Sequence, residues 1–235
     1  MARRSCCEYT KQCKIVIMKR EIYIFGTGGF SKEVYSLIYD INNRTETYKF
    51  GGFVDVNPSE TEMKIGKLSF PVLAESEFME TSHAKDCVFA LGMGNPKILN
   101  KIRTSYIERF EFPNLIHPNF CGHLDAISLG RGNVITAGCI FTIDIVIGDL
   151  NLFNLHTTLG HDSLIHNCNV FNPGVNLSGG INIGSRNLFG TNCSVLQYIQ
   201  VGNDNMIGAG AMVNKNVENG KVAVGVPAKV IKEIY

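Results

Sequence analysis

Three histidines recur at five-residue intervals, His156, His161 and His166. The middle one stands in Leu159-Gly160-His161-Asp162, next to a carboxylate. An imidazole takes up a proton near neutral pH, and the carboxylate of Asp162 could orient the ring and raise its basicity. Asn154 precedes them and carries an amide that could fix a substrate group. Gly179 follows His161 by 18 residues, one period of the repeat described below. Its backbone N–H could face the same cleft as an oxyanion donor. Two other readings stay open from spacing alone: His161 as a polar corner residue, and the histidines as metal ligands. For the metal, two periods earlier in register the chain has Phe120, Asp125 and Gly130, none of them a histidine.

A second group lies near the start. Gly26-Thr27-Gly28-Gly29 follows the apolar run Ile22-Tyr23-Ile24-Phe25 and opens a helical pattern, as turns that cradle phosphates do. The third glycine of the dinucleotide fingerprint is Ser31 here, and the unit is too short for a full dinucleotide fold. Phosphate or nucleotide contact is one reading, and a structural turn the other. Asp55 could accept hydrogen bonds from a ribose, a base or a sugar, or it could simply cap a strand.

These residues need elements to position them. From Leu129 every sixth residue is a large aliphatic or Phe, through Ile135, Phe141, Ile147, Phe153 and onward to Val213. A period of six is not that of an α-helix. It fits a short strand, a corner and a new strand, three of which close one triangular coil of 18 residues. The residue after each stop is often small or turn-prone, such as Gly130, Gly148, Gly160, Asn172 and Gly184, and glycine or asparagine suits a bend. The front half has strands at 22–25, 50–54 and 87–91 and helical spacing over 31–41 and 98–110, which makes a small α/β domain with a parallel sheet. Ligands of such sheets sit at the carboxyl ends of the strands, here Gly26 to Gly29, Asp55 and Gly92. The expected division is an extension over 1–17, an α/β substrate-binding domain over 18–116, and a left-handed parallel β-helix over 117–235.

Composition narrows the function. Among 235 residues, 22 basic side chains balance 21 acidic ones, which gives no electrostatic reason for nucleic acid or an anionic membrane as partner. No apolar run is long enough for a membrane span. The eight cysteines form no C-x-x-C pair, and they read as buried or neutral thiols of a cytoplasmic protein. The coils carry few charges, so their flat faces call for burial against like subunits.

On these motifs the chain resembles the bacterial sugar O- and N-acetyltransferases, the type that includes sialic acid O-acetyltransferase and UDP-4-amino-sugar N-acetyltransferase. The resemblance runs from Lys19 to Ile231. It rests on Ile24-Phe25-Gly26-Thr27-Gly28-Gly29, Gly51-Gly52-Phe53-Val54-Asp55, Ala90-Leu91-Gly92, Asn114-Leu115-Ile116-His117-Pro118, the hexapeptides, and Val224-Gly225-Val226-Pro227-Ala228-Lys229. It implies a homotrimer with active sites between adjacent prisms, acetyl-CoA as donor without a metal, and a sugar or nucleotide sugar as acceptor in surface-glycan biosynthesis. The catalytic histidine falls on His161 and its acidic partner on Asp162, where the nucleotide-sugar branch usually has Glu. Acetyl-CoA contacts fall on Gly179, Thr191 and Ala209, and substrate contacts on Gly28, Gly29, Asp55 and Gly92. Three departures bear on the acceptor and the donor. Val170 replaces a histidine that contacts acetyl-CoA, Phe30-Ser31 replaces His-Gly, and Val56 replaces a second acidic residue. The expected chemistry is direct acetyl transfer with His161 as general base and no acyl-enzyme. The rival readings are a non-catalytic trimeric scaffold, a metal-dependent hydratase on the same prism, and a dehydrogenase-like nucleotide binder.

Overall fold

The computed structural model describes residues 19–234, so the segment 1–17 lies outside the described residues. The front half is a five-stranded sheet flanked by helices. In chain order it runs β1 (Arg20–Phe25), α1 (Gly29–Thr45), β2 (Tyr48–Asp55), β3 (Glu62–Ile65), β4 (Leu68–Ala74), α2 (Glu75–Phe78), α3 (Ser82–Lys85), β5 (Val88–Leu91) and α4 (Pro96–Tyr106). The strand order is β3-β4-β2-β1-β5, parallel except for the β3–β4 hairpin. β1 and β5 are almost wholly apolar because both faces of the sheet are covered. Ile22 and Ile24 alternate with Tyr23 and Phe25. Phe25 joins Phe89, Tyr106 and Phe112 in an aromatic layer. Pro96 starts α4, and Asn95 caps it by accepting from the N–H groups of Lys97 and Ile98.

The sequence pattern places these elements but misses the β3–β4 hairpin, whose strands interleave charged and polar residues with few apolar ones. The tail after Gly225 also differs from expectation. Lys229–Glu233 forms an antiparallel strand against Lys221–Val224.

The second half is the left-handed parallel β-helix, with three ladders of short strands. The first face is built from pairs such as Val134–Ile135, Leu152–Phe153, Val170–Phe171 and Leu188–Phe189. The second holds Ile140–Phe141, Thr158–Leu159 and Asn176–Leu177, and the third Ile145–Ile147, Leu164–Ile165 and Asn182–Ile183. Each strand pairs with its counterpart 18 residues away. The six-residue stops are buried inside the prism, apart from a half-buried Leu129. Phe153, Phe171 and Phe189 stack at 4.8 and 4.9 Å between ring centroids.

One detail differs from the sequence reading. The left-handed bends lie three residues after each stop, at Asp144, Leu150, His156, Asp162, Cys168 and their successors, with φ of 53–61°. The glycines directly after the stops meet another demand. A Cβ on Gly130, Gly148 or Gly160 would run into the backbone of the next coil. They are small because successive coils approach closely, not because the backbone turns there.

At the corner between the third and first faces a ladder of buried asparagines rises through the prism. Asn114, Asn133, Asn151, Asn169 and Asn187 each accept, through the side-chain oxygen, from the backbone N–H of the asparagine one coil on. Asn133, Asn151, Asn169 and Asn187 also donate a side-chain N–H back to the rung before, at 3.0–3.1 Å. The front domain docks on this corner and on the first face, where Val134, Leu152 and Val170 join its core. Arg103 of α4 pairs with Asp149 at 3.1 Å, and Arg131 reaches the Ile107 carbonyl at 3.0 Å. No helix among the described residues is long and apolar enough to cross a membrane.

Two outcomes follow from this interior. Asn169→Ala leaves the buried N–H groups of Asn187 without an acceptor, and such a loss costs about 1–3 kcal/mol. Urea unfolding should show a loss of that size, and a change below about 0.5 kcal/mol, the range of ordinary surface substitutions, would remove the ladder from the account of stability. The second outcome concerns pH. Burial pushes the thiols of Cys139, Cys168 and Cys193 up from 9.0 to about 11, 12 and 12. A raised thiol favours the protonated, folded state, so its contribution is complete below 9 and is lost as pH rises toward 11–12. Stability measured against pH should therefore fall on the alkaline side, and Cys193→Val should flatten that fall.

Candidate active site

His161 lies on the corner between the second and third faces. Its Nδ1 is 2.7 Å from Asp162 Oδ2, and both side chains are more than half exposed. The left-handed backbone at Asp162, with φ of 54°, turns its carboxylate back on the preceding ring. The carboxylate accepts from Nδ1–H, which leaves the Nε2 lone pair as the base. The ring lies over Gly179. A Cβ there would come within 2.7–2.9 Å of Nε2, Cε1 and Cδ2, so only glycine fits beneath this imidazole.

Among the described residues, no group accepts from the Gly179 N–H. The corresponding N–H groups at the third–first corner are capped. Those of Arg131, Asp149, Asn167, Ser185 and Asn203 each donate to a side-chain oxygen one coil on. Gly160 keeps the space beside Gly179 open, since a Cβ on it would lie 2.5 Å from the Gly179 nitrogen. An oriented imidazole and an uncommitted N–H thus share one corner, the pairing that proton abstraction and oxyanion stabilisation require.

The other residues singled out from the sequence fall elsewhere. Asn154, Thr191 and Ala209 stand on the first–second corner, one face away from His161. Asn154 spends its side-chain oxygen on the N–H of Leu155 at 2.7 Å. Thr191 and Ala209 are exposed and one coil apart. His156 and His166 occupy the remaining two corners of the coil, so the three histidines do not converge on one ion. Val170 is buried on the first face beneath the front domain, 3.7 Å from where a Cβ of Gly94 would lie. Sequence reading missed Ile143, one coil below His161, and Leu196, one coil above the Ser178 that precedes Gly179. Both are exposed apolar residues at this corner. Counting 18 residues from His161 and from Ser178 would have found them.

The front domain carries a cavity of about 340 Å³ at the carboxyl ends of its parallel strands. β1 lies between β2 and β5, which makes this the point where the strand order reverses. Gly28 and Asp55 line the cavity, facing Lys101 and Tyr106 of α4. Thr27 donates to Asp55 at 2.7 Å, and Tyr106 donates to Glu75 at 2.8 Å. Burial and Glu75 together push the Tyr106 phenol up to about 12. Gly29 begins α1 with no side-chain cap before it. Gly92 stands behind the turn rather than in the lining. The buried Ser31 hydroxyl bridges the carbonyls of Gly26 and Gly92 at 2.8 and 2.9 Å. Gly26, with φ of 96°, needs to be glycine for its backbone, whereas Cβ atoms on Gly28 and Gly29 would meet only open space.

Comparison with known proteins agrees with this layout. The family described as the PglD N-terminal domain matches residues 21–107. No curated protein sequence matches the chain. Among solved structures, the acetyltransferase domain of PglB from Neisseria gonorrhoeae FA1090 is 27% identical, covers 91% of this chain and 100% of its own, and superposes with a TM-score of 0.80. The same domain in complex with acetyl coenzyme A gives 0.79. PerB from Caulobacter crescentus, in complex with CoA and GDP-perosamine, is 25% identical over 90% of this chain and 97% of its own, with a TM-score of 0.77. The resemblance read from the sequence, to sugar acetyltransferases built on the hexapeptide-repeat β-helix, is borne out by these likenesses.

Proposed function

We propose that this chain, built on the plan of the sugar acetyltransferases it is similar to, transfers the acetyl group of acetyl-CoA to an amine or hydroxyl of a nucleotide-linked sugar. That sugar would be destined for surface-glycan assembly. The observation that carries this reading is the His161–Asp162 pair lying over Gly179. His161 Nε2 takes a proton from the acceptor as its oxygen or nitrogen attacks the thioester carbonyl. The Gly179 N–H receives the oxyanion of the tetrahedral intermediate. Collapse breaks the C–S bond, and the CoA thiolate leaves and is reprotonated. The buried thiols of Cys139, Cys168 and Cys193 are held protonated inside the prism, in keeping with direct transfer and no acyl-enzyme.

Thr191 and Ala209 would border acetyl-CoA along the prism. The nucleotide would enter the front cavity, with its phosphates toward the uncapped start of α1 and its sugar or base near Asp55. The front domain covers the first face, and His161 stands on the corner opposite that face. A substrate held by the front domain therefore reaches a histidine only on another copy of the chain. This supports a homotrimer with the active site shared between copies, in which Asn154 of one copy could serve the cleft of another.

Release of CoA from acetyl-CoA, read with a thiol reagent against a no-acceptor blank, tests the reading. The acceptor panel would hold GDP-, UDP- and dTDP-linked amino sugars, CMP-sialic acid and free sialic acid. Acceptor-dependent release is expected, and His161→Ala should lower kcat by about 10²–10⁴-fold; near-normal turnover in that variant would sink the assignment. Gly29→Ala separates function from fold. Alanine is the better helix former by about 1 kcal/mol, so the melting temperature should hold or rise while KM for the sugar rises. A raised KM accompanied by a lowered melting temperature would assign Gly29 to the fold alone.

A further inference from the structure

Glu21, His83 and Cys87 gather at the amino-terminal edge of the front sheet, at the end away from the cavity. Their ligand atoms all lie within 4.8 Å of one another. His83 Nε2 is 3.4 Å from Glu21 Oε2 and 3.7 Å from Cys87 Sγ. Bonds of about 2.0–2.3 Å to a tetrahedral zinc ion set its N, O and S donors roughly 3.3–3.7 Å apart. Two edges of the trio already have that length, and rotation of the Glu21 side chain closes the third. We infer that Glu21 Oε2, His83 Nε2 and Cys87 Sγ form a binding site for a zinc-class divalent cation, with a fourth position open to solvent.

The surroundings are arranged as a ligand shell needs. The two oxygens of Glu21 are already divided. Oε1 accepts from Lys49 Nζ and from the Tyr23 hydroxyl, each at 3.5 Å, which leaves Oε2 for a cation. Such outer partners orient a ligand and tune its basicity. The His83 ring is held edge-on against Tyr23 and Phe78, so its nitrogen is aimed rather than free to swing. Cys87 is buried and His83 is half exposed, which gives the ion a solvent path to a sulfur that has little other access. On binding, the Cys87 thiol gives its proton to solvent and exchanges its contact with the His83 carbonyl, at 3.2 Å, for the metal.

His83 belongs to α3, a helix of four residues, whereas Glu21 and Cys87 flank the paired strands β1 and β5. A cation here would staple the excursion between β2 and β5 to the centre of the sheet. It takes no part in acetyl transfer, so activity and metal binding can fail independently.

Cobalt(II) titration of the full, metal-free chain tests this site. A thiolate-to-cobalt charge-transfer band should saturate at one ion per chain, and zinc should displace the cobalt. The band should vanish in Cys87→Ser. Affinity should fall in His83→Gln and Glu21→Gln by at least the roughly 10–100-fold that outer-shell partners are worth. A band of unchanged size and affinity in Cys87→Ser overturns the site, because another cysteine would then be the ligand. Should that variant fail to fold, the half-exposed His83→Gln decides alone: unchanged cobalt affinity there overturns the site equally.

Discussion

Every coil of the prism is bonded to the next through one register. The N–H of Val134 donates to the carbonyl of Asn151, that of Leu152 to Asn169, and that of Val170 to Asn187, each at 2.9 Å. Parallel strands then sit about 4.8 Å apart, and any residue type repeated at 18 is forced into contact with itself. Rings stack on rings at Phe153, Phe171 and Phe189, and amides bond to amides along the asparagine ladder. The same spacing excludes a side chain at Gly160 and Gly179 and lays the His161 ring across the latter. The candidate catalytic pair needs no loop to bring it together. It is a local consequence of coil stacking, with one rung carrying a base and the next an exposed N–H.

The front sheet solves a different problem. Its turn must approach a ligand closely while staying rigid. Ser31 supplies the rigidity by tying Gly26 and Gly92 together from within. A glycine at that position would leave both carbonyls without this donor. What reads in the sequence as a departure from a phosphate-binding pattern is therefore a brace for it. Gly28 and Gly29 are glycines that the fold itself does not demand. Small residues left where the backbone has no need of them suit the close approach of a ligand.

Much of this architecture is legible in the order of the residues alone. The six-residue period announces the prism, because burial of one residue per side is the condition for closing the coil. The 18-residue separation of His161 and Gly179 announces their contact. The β3–β4 hairpin is not legible, since an edge hairpin with one partly buried side carries only a faint alternation. The corners mislead for a physical reason. Residues at the left-handed position include Leu150, His156, Cys168, Arg186 and Tyr198, which no glycine rule would select. Their bend is imposed by the ladders on either side, and hydrogen bonds in the neighbouring coils offset the strain of each one. The docking of Val170 under the front domain is also hidden, because it depends on which outward face meets the second unit.

That docking constrains assembly. The first face and the third–first corner are covered within the chain, which leaves the second and third faces and the corner between them. Ile140, Ile143, Val146 and Leu196 are exposed around that corner, close to His161 in the coil repeat. Apolar side chains beside a charged histidine–aspartate pair are poorly served by water, and they are well served by the surface of a like subunit. A contact that sets this corner of one prism against the front-domain side of the next is head-to-tail. Such contacts either close into a ring or run on as a filament. Closure is the outcome that buries every such corner and leaves no open end. It would also give each histidine one cavity facing it, so the geometry that hides the apolar corner is the geometry that completes the site.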